Sequence, residues 1–402
     1  MAKAFDGLTV LEIGHMYNGP YCGLLFAQHG AKVIKFESAT GDQLRFRSHD
    51  SLESHEFVML NSSKESVIVN LKSEQGRQIF LDALDRVDVI VENLAPGAMS
   101  RLGLDPAMLC ERNPRLVYAS GKGYGTDGPY ANMPAMDITV QAMSGVIAST
   151  GFADGPPVKT GPALVDILAG ATLYSAAVTA LYQRSVTGRG QLVEVSMHDA
   201  VFPAMLSPLG ALYNDPDRDI PERTGNRHSG MAVTPYNVFP SSDGWVALFC
   251  FTQRHFENAM RAMALDDLIS DERFATRADR IENMEALDDI IGEWTKLRSR
   301  AETVGVLLDV GVPASPVNTI HEVADDPHWR HRGMMRTVQH PRRGSVDVVG
   351  NPLKLGDSVP DELVPAPTIG SYSSEFLRSY CAYGQDEIER LFAAGVVEAR
   401  AD

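Results

Sequence analysis

The alternation of apolar and polar positions over the first 37 residues predicts a strand, a turn, a helix and a second strand. The run Leu8-Thr-Val-Leu-Glu-Ile is rich in β-forming residues and ends at Gly14. Residues 21–29 have helical periodicity and stop at Gly30, which suits a helix C-terminus. The following apolar run ends at Glu37. A unit of this kind predicts two parallel strands joined by a right-handed crossover.

The same alternation continues to about residue 120. Residues 66–71, 87–92 and 116–120 have the pattern of strands, and residues 74–86 have the pattern of a helix. Strands that alternate with helices favour a doubly wound α/β fold with a parallel sheet. We therefore expect a large domain of this fold class in the first half of the chain.

The composition changes after about residue 200. Residues 213–229 are rich in Asp, Pro, Arg and Gly, which is typical of a linker or long loop. Beyond them the pattern predicts a smaller α+β region, with elements at 245–251, 254–263, 285–299 and 312–317. Residues 330–357 look β-rich, and the tail from residue 373 has helical periodicity.

These patterns predict a domain organisation in four segments. Residues 1–205 form the first part of the large domain, and residues 206–225 form a linker. Residues 226–325 form the small α+β domain. Residues 326–402 return to the large domain and complete it.

Composition and charge exclude some classes of function. At 44% hydrophobic and 22% charged residues, the 402-residue chain has the composition of an ordinary folded protein. Its formal net charge of -16 argues against nucleic-acid binding, because phosphate binding needs a concentrated basic surface. The start of the chain lacks the apolar segment of a signal peptide, so we expect a cytoplasmic protein. Apolar residues 163–182 include Asp166 and many small residues, which favours a packed helix over a membrane span.

The sequence lacks the usual cofactor and metal motifs. The turn at 14–19 does not have G-x-G-x-x-G spacing, which disfavours a nicotinamide enzyme although Glu37 has the position of a ribose-binding acid. Neither a G-x-S-x-G motif nor a G-x-x-x-x-G-K-[ST] loop occurs. The four cysteines form no C-x-x-C pair, and His328 and His331 have no third acid-rich partner nearby. We therefore expect neither a disulfide framework nor a metal site.

One carboxylate stands out in the pattern. Asp137 follows a proline-bearing loop and opens an apolar, helix-like stretch that reaches Gly145. One interpretation is a helix N-cap, in which the carboxylate accepts an unpaired backbone N–H. The other is a partly desolvated nucleophile that the helix dipole holds ionised. The two roles are compatible, and the pattern leaves both open.

Several blocks, in the same order along nearly the whole chain, match the pattern of one family. They are Gly7-Leu-Thr-Val-Leu-Glu-Ile with Gly19-Pro20, Gly30-Ala-Lys-Val-Ile-Lys-Phe-Glu37, Asn61-Ser-Ser-Lys64 with Leu71-Lys72, Val91-Glu-Asn93-Leu-Ala-Pro-Gly97 with Arg101-Leu-Gly103, Asn113-Pro-Arg-Leu-Val-Tyr-Ala-Ser-Gly-Lys122-Gly-Tyr124, Thr187-Gly-Arg-Gly-Gln191 with Val195-Ser-Met197, and Gly311-Val-Pro-Ala-Ser-Pro-Val317. On these blocks the chain resembles the class III CoA-transferase (CaiB/BaiF) family, which includes formyl-CoA transferase and carnitine CoA-transferase.

The resemblance implies a fold, substrates and a partner. The fold is a Rossmann-like large domain built from both chain ends, with a small domain reached through linkers. Two subunits interlock as a homodimer. The substrates are an acyl-CoA and a free carboxylic acid, with no tightly bound cofactor, no nucleic acid and no membrane.

The resemblance also implies site residues. Asp137 falls on the catalytic aspartate of the family. The positions that match contacts to coenzyme A are His15, Asn18, Leu71, Lys72, Asn93, Arg101, Lys122, Gly123, Tyr124 and Met197. Without the resemblance, Asn93 would be interpreted as a loop hydrogen-bonding residue and Lys122 as a solvated strand end.

The family mechanism predicts covalent transfer through an anhydride and a CoA thioester on Asp137. Two departures concern the substrates. Where oxalate-acting relatives carry a glycine run, this chain has Thr224-Gly-Asn-Arg-His-Ser-Gly230, which disfavours oxalate or formyl substrates. We expect a small or dicarboxylic acid instead. Arg223, Arg227 and His228 are candidates for binding a second carboxylate, and the alternative interpretation, which the polar pattern favours, is an exposed linker. Ser38 replaces a basic residue of some relatives, and Arg45 or Arg47 is expected to compensate.

Besides the nicotinamide oxidoreductase disfavoured above, two rival functions remain. A 2-methylacyl-CoA racemase shares the fold, but those relatives carry His-Asp where this chain has Met136-Asp137. Racemisation needs two acid/base groups at the α-carbon, so the missing histidine favours transfer. The other rival is a noncatalytic protein that binds CoA or another nucleotide.

Overall fold

The computed structural model describes residues 3–47, 52–214, 217, 221–357 and 362–400. The strands are β1 (Thr9–Ile13), β2 (Lys32–Glu37), β3 (Glu65–Val69), β4 (Val89–Glu92), β5 (Val117–Lys122), β6 (Leu192–Ser196), β7 (Tyr236–Ser241), β8 (Gly244–Phe249), β9 (Ala314–Pro316), β10 (Met335–His340), β11 (Gly344–Val349) and β12 (Val397–Glu398). The helices are α1 (Asn18–Ala27), α2 (His55–Asn61), α3 (Glu74–Ala83), α4 (Ala98–Arg101), α5 (Pro106–Arg112), α6 (Asp137–Met143), α7 (Leu164–Thr187), α8 (Met197–Val201), α9 (Leu206–Asn214), α10 (Gln253–Ala262), α11 (Asp267–Ser270), α12 (Arg277–Glu282), α13 (Met284–Lys296), α14 (Arg300–Leu308), α15 (Ile320–Asp325), α16 (Pro327–His331), α17 (Ser373–Cys381) and α18 (Gln385–Ala393).

The described residues divide into two compact units. The first falls within Met1–Val140, Pro162–Val201 and Pro327–Asp402. The second falls within Gln141–Gly161 and Phe202–Asp326. Residues 141–161, which the sequence pattern placed in the large domain, group with the second unit. The linker predicted at 206–225 lies partly outside the described residues.

A mixed sheet dominates the first unit. Among the described residues its strand order is β12-β3-β2-β1-β4-β5-β6. Every neighbouring pair is parallel except β12 with β3. All five residues of β1 are buried, as expected for a strand covered on both faces by helices. The predicted α/β class with a parallel-dominated sheet is confirmed.

The C-terminal tail differs from its prediction. It forms α17 and α18 as expected from its periodicity, but it ends in the short strand β12. Val397 and Glu398 pair antiparallel with Val69 and Ile68. Two residues are too few for a period-2 pattern to be visible in the sequence, so only the pairing partner reveals this strand.

The long helix α7 packs within the first unit. Its small residues allow a close approach to α1, since a Cβ added at Gly170 would lie 2.6 Å from the backbone oxygen of Asn18. By length and composition alone, α7 is also long and apolar enough to cross a membrane. Its buried residues include Leu173, Ala177 and Ala180, which belong to one core cluster with residues of α1 and of the sheet.

The second unit has a small antiparallel sheet of order β7-β8-β9. Its hydrophobic core contains Phe239 and Leu248 from the sheet and Phe256, Met260 and Ile291 from the helices. Among the described residues, four helices of this unit start at residues whose side chains cap them, and α12, α14 and α15 have complete capping boxes at Thr276, Ser299 and Thr319.

Candidate active site

The main sheet has a crevice where its strand order reverses. The chain runs outwards from β1 through β2 to β3, and then resumes on the other side of β1 with β4 and β5. In open α/β sheets, ligands bind outside the carboxyl ends of the strands at such a point. The segments that follow β1, β4, β5 and β6 carry most of the predicted site residues.

The turn between β1 and α1 is held by an asparagine that follows β4. The side chain of Asn93 accepts a hydrogen bond from His15 N at 2.9 Å and donates one to His15 O at 2.9 Å. A Cβ at Gly19 would lie 2.9 Å from Asn93 Oδ1, so this approach needs glycine. Asn93 therefore acts as a clasp between two crevice loops, which matches the loop hydrogen-bonding interpretation of this residue.

The same turn carries two polar groups without partners. Asn18 Oδ1 and His15 Nδ1 are buried and have no hydrogen-bond partner among the described residues. Asn18 is only 2% exposed, and its Oδ1 would lie 2.9 Å from a Cβ added at Gly121 at the end of β5. Burial lowers the pKa of His15, and nearby Lys35 lowers it further, so the ring is neutral at pH 7.

Beneath this turn lies a group of four fully or nearly buried charges, which we call the ion network: Glu12, Lys35, Asp42 and Lys64. Glu12 pairs with Lys35 at 2.8 Å and with Lys64 at 2.7 Å. Asp42 pairs with Lys35 at 3.0 Å. Burial alone raises the pKa of Glu12, but the two lysines outweigh burial and hold it below its ordinary value. Two acids and two bases thus balance in the interior.

The ion network also fixes backbone. Lys35 Nζ donates to Gly14 O at 2.7 Å, and Lys64 Nζ donates to Pro20 O at 2.7 Å. These two carbonyls flank the turn that carries His15 and Asn18. The matched block Asn61-Ser-Ser-Lys64 therefore supports the turn through Lys64.

A second buried ion pair corrects two sequence expectations. Arg45 is fully buried and forms a bidentate pair with Glu37, with distances of 2.8 and 2.7 Å. Glu37 also accepts from Ser66 Oγ. Glu37 is therefore unavailable as a ribose ligand, and Arg45 is unavailable as a replacement for the basic residue missing at Ser38. Arg47 is exposed beside Met16 Sδ, so it remains a candidate to replace the basic residue missing at Ser38.

The carboxyl end of β5 is also built around an ion pair. Lys122 Nζ donates to both carboxylate oxygens of Glu92 at 2.8 Å and to Leu94 O at 2.8 Å. With 9% exposure, Lys122 is a buried, paired cation and not a solvated strand end. Gly123 follows it, and Gly123 O accepts from His198 N.

Tyr124 and Met197 lie on the same side of the sheet. The Tyr124 ring packs against Tyr130 and His198, each with centroids 5.9 Å away. Met197 is buried at the start of α8, directly after β6.

The remaining predicted CoA contacts lie farther out. Leu71 and Lys72 follow β3, two strands from β1, and Lys72 is exposed. Arg101 is exposed at the end of α4, where its Nη1 donates to Pro96 O at 2.9 Å.

Asp137 occupies the first position of α6, but its carboxylate caps a different helix. Asp137 Oδ1 accepts from Val165 N at 2.9 Å and from Asp166 N at 3.1 Å. These are two of the unpaired N–H groups at the start of the 24-residue helix α7. The Asp137 carboxylate therefore lies at the positive end of the α7 dipole.

A second carboxylate beside it was not among the predicted site residues. Burial raises the pKa of Asp166, and the Asp137 carboxylate raises it further, to about 7. Within the described residues, the Asp166 carboxylate receives no hydrogen bond and no ion pair. We call Asp137 and Asp166 the carboxylate pair. The signal in the sequence was an acid inside the apolar stretch 163–182, where an uncompensated charge is costly.

The residues proposed to bind a second carboxylate are engaged within the second unit. Arg223 donates to Phe152 O at 3.2 Å and to Gly155 O at 3.1 Å. Arg227 pairs with Asp288 at 2.7 Å. Arg223 and Arg227 line a cavity of about 460 Å³. Burial lowers the pKa of His228, whose Nε2 lies 3.2 Å from Ser207 Oγ.

No group of three or more His, Cys, Asp or Glu side chains among the described residues is placed to hold a metal ion.

The model of the CoA-transferase family III matches residues 5–372. The formyl-CoA:oxalate CoA-transferase of Streptomyces avermitilis is 33% identical over 99% of this chain and 100% of its own. The acetyl-CoA:oxalate CoA-transferase of Acetobacter aceti is 35% identical over 94% of this chain and 96% of its own. The succinyl-CoA:mesaconate CoA-transferase of Haloarcula marismortui is 33% identical over 93% of this chain and 96% of its own.

The fold is similar to that of solved structures as well. The crystal structure of a CaiB/BaiF family protein from Brucella suis superposes with a TM-score of 0.82 at 30% identity, covering 93% of this chain and 98% of that one. The match of family, length and fold confirms the resemblance carried by the ordered sequence blocks. This chain belongs to CoA-transferase family III.

Proposed function

We propose that the protein transfers CoA from an acyl-CoA thioester to a free carboxylic acid through covalent aspartyl intermediates. The observation that carries the proposal is the carboxylate pair at the N-terminus of α7. Nucleophilic catalysis needs a group held in place and incompletely solvated, and this pair meets both conditions. The names of the relatives support the reaction class.

The steps balance without an external oxidant or reductant. An aspartate oxygen attacks the thioester carbonyl, the C–S bond breaks, and CoA leaves as thiolate from a mixed anhydride. The thiolate then attacks the aspartyl carbonyl, which releases the first acid and leaves an aspartyl-CoA thioester. The acceptor carboxylate repeats these two steps in reverse and leaves with CoA. Splitting the exchange in this way conserves the free energy of the thioester.

The sequence assigns the covalent step to Asp137, and that assignment stays a prediction. One observation favours Asp166 as a second candidate. Asp137 Oδ1 already accepts two backbone N–H groups, which occupy this oxygen and reduce its nucleophilicity. The Asp166 carboxylate is half-buried and receives no such hydrogen bond from the described residues. A desolvated carboxylate of raised pKa is the stronger nucleophile once ionised.

The other predicted residues divide into contacts and supports. We propose that Asn18, Tyr124, Leu71, Lys72, Arg101 and Met197 contact CoA, together with His15 and the backbone of Gly123. The unpartnered Asn18 Oδ1 supports this role, because a buried acceptor gains a donor when ligand binds. Asn93 and Lys122 position these groups through the contacts described above. The N–H groups that follow Gly123 are proposed donors to the oxyanion of the tetrahedral intermediates.

The acceptor is proposed to be a small dicarboxylic acid. The relatives named above act on oxalate and mesaconate, which both carry two carboxylates. The prediction that this chain disfavours oxalate rests on the segment Thr224–Gly230 and is untested. An acceptor panel should therefore include oxalate beside longer dicarboxylic acids.

We also propose the interlocked homodimer implied by the family resemblance and the cytoplasmic location expected from the sequence. Exposed apolar side chains on α7 support a partner surface, since Tyr182 and Val186 are each 73% exposed. Light scattering on the purified protein would test this, and a monomer at micromolar concentration would reject the dimer.

The covalent step can be tested by intact mass and peptide mapping after incubation with a panel of acyl-CoAs. A CoA-sized or borohydride-reducible adduct is expected on one member of the carboxylate pair. Asp137→Asn keeps the oxygen that caps α7, whereas Asp137→Ala removes it. An adduct that survives in Asp137→Asn but disappears in Asp166→Asn assigns the nucleophile to Asp166. The opposite result assigns it to Asp137.

Two outcomes would reject transfer. If no donor forms an adduct while a chiral 2-methylacyl-CoA exchanges its α-proton with deuterium, the racemase replaces the transferase. If neither activity appears and CoA still binds to both variants as to the native chain, the protein is a binding protein.

A further inference from the structure

One cavity of the first unit lies away from the candidate active site. It has a volume of about 530 Å³ and is lined at one side by Gln28 and His29, which follow α1 directly. Helix α1 starts at the carboxyl end of β1 and leads back to the start of β2. The cavity therefore lies at the amino ends of the parallel strands, on the side opposite the crevice. None of its lining residues belongs to the candidate active site.

The cavity is basic in an acidic protein. Four of its lining residues carry cationic side chains, and none of the described lining residues is acidic: Lys3, Arg332, Arg336 and Lys354. The side chains of Arg332 and Lys354 form no ion pair within the described residues. The chain as a whole has a net charge of -16, so this concentration of positive charge is local.

The cations are close enough to repel one another. Burial lowers the pKa of Lys354, and the neighbouring Arg332 and Arg336 lower it further. Gathering like charges costs free energy unless an anion balances them. Such a cluster is typical of a site that binds phosphate or carboxylate groups.

A buried acceptor in the cavity wall is also unsatisfied. Gln28 is 7% exposed, and its Nε2 donates to Val349 O at 2.6 Å. Its Oε1 is buried and has no hydrogen-bond partner among the described residues. A ligand that supplies an O–H or N–H would satisfy this oxygen. Leu353 and Leu355 give the same cavity an apolar wall.

We propose that this cavity binds a nucleoside phosphate. The phosphates pair with Arg332 and Lys354, a ribose hydroxyl or base amine donates to Gln28 Oε1, and the base packs on the leucines. The volume lies within the usual range for small-molecule sites, roughly 300–1,000 Å³. The proposal is independent of the assignment of the transferase nucleophile, because the two sites share no residue.

Calorimetric titration with ADP tests the proposal on the full-length protein. Arg332→Ala with Lys354→Ala is expected to weaken ADP binding at least tenfold, since each lost charge contact is worth about a factor of ten. Gln28→Met is expected to weaken binding several-fold while keeping the volume of the side chain. The matched control is Arg261→Ala with Lys296→Ala, which removes the same charge from exposed surface pairs and should change nothing.

The remaining readouts distinguish this site from the CoA site. The KM for acyl-CoA of the Arg332/Lys354 variant should equal that of the native protein, and its thermal midpoint without ligand should not fall, because the variant removes cations that repel one another. Inorganic pyrophosphate should bind more weakly than ADP, because it lacks the groups that reach Gln28 and the leucines. The proposal is overturned if ADP fails to bind, if the double variant binds ADP as the native protein does, or if pyrophosphate binds equally well.

Discussion

Two regions of the first unit bury charged side chains, and they treat those charges in opposite ways. In the ion network under the β1–α1 turn, two acids and two lysines pair at 2.7 to 3.0 Å. In the carboxylate pair, two like charges lie side by side at the start of α7. The lysines hold the pKa of Glu12 below its ordinary value, whereas burial and Asp137 raise the pKa of Asp166 to about 7.

The charged groups of the ion network have a structural role, whereas those of the carboxylate pair are suited to catalysis. A buried charge with full compensation fixes geometry and has little capacity to react. A buried carboxylate without compensation costs stability, and its retention is typical of a catalytic position. Burial and pairing set the pKa values in both regions. The pKa shifts differ because the acids of the ion network have lysine partners, whereas Asp166 has another carboxylate beside it.

The largest expected effect is on activity. Asp166→Asn should lower kcat by about 10³-fold or more if its carboxylate attacks the thioester, because an amide cannot form the anhydride. In the native enzyme, kcat/KM should fall below about pH 7 as Asp166 gains a proton. Steady-state rates of the variant and a pH profile of the native enzyme check this. Full activity in Asp166→Asn would show that the Asp166 carboxylate does not attack the thioester. Asp137 would then remain the predicted nucleophile.

The next effect concerns the ion network. Lys35→Met should lower the free energy of unfolding by about 3–5 kcal/mol, since it leaves Glu12 and Asp42 with less compensation in the interior. Urea unfolding measures the change. Lys296→Met is the matched control, because its exposed pair with Glu293 is worth about 0–1 kcal/mol. Equal losses of unfolding free energy in the two variants would show that the buried ion network stabilises the fold no more than an exposed ion pair does.

A smaller effect of opposite sign is expected at Asp166. Its folded pKa of about 7 exceeds the ordinary value of 3.8, so the folded protein keeps a proton that the unfolded chain has lost. Stability therefore falls as pH rises from about 4 to 7, and the full penalty applies above pH 7. Asp166→Asn should stabilise the protein by roughly 2–4 kcal/mol at pH 8 and by little at pH 4. Thermal melts across pH check this, and a pH-independent difference would contradict it.

The smallest predicted effect concerns the clasp. Asn93→Ala should cost about 1–3 kcal/mol of stability and raise the KM for CoA several-fold, because His15 loses two backbone hydrogen bonds. Asn113→Ala is its control, since Asn113 holds Leu84 O and Val87 O at the other edge of the sheet. The control should lose similar stability with no change in KM. A raised KM in both variants would show that the clasp acts only through global stability.

The sequence could predict much of the fold because local periodicity carries it. The β1–α1–β2 unit, the strands β3 to β5 and the helical tail follow from apolar patterns within short windows. The sequence could not predict β12, whose two residues are defined by pairing with β3. The site loops around the crevice were identified through the family resemblance of the ordered sequence blocks.

The roles of individual site residues depended on three-dimensional partners. Asn93 and Lys122 matched ligand contacts by position, yet their side chains hold protein groups. Glu37 and Arg45 looked available for a ligand in sequence, and they are paired with each other. Asp166 looked like an interruption of an apolar helix until Asp137 was placed beside it.

The sequence by itself determined the family, the α/β class and the loops that surround the crevice, because these depend on residue order and local pattern. Only the tertiary structure decided which charges are compensated. Pairing distances and burial join residues far apart in the chain, such as Glu12 with Lys64 and Asp137 with Asp166. Electrostatic free energy depends on those distances, and sequence spacing does not contain them.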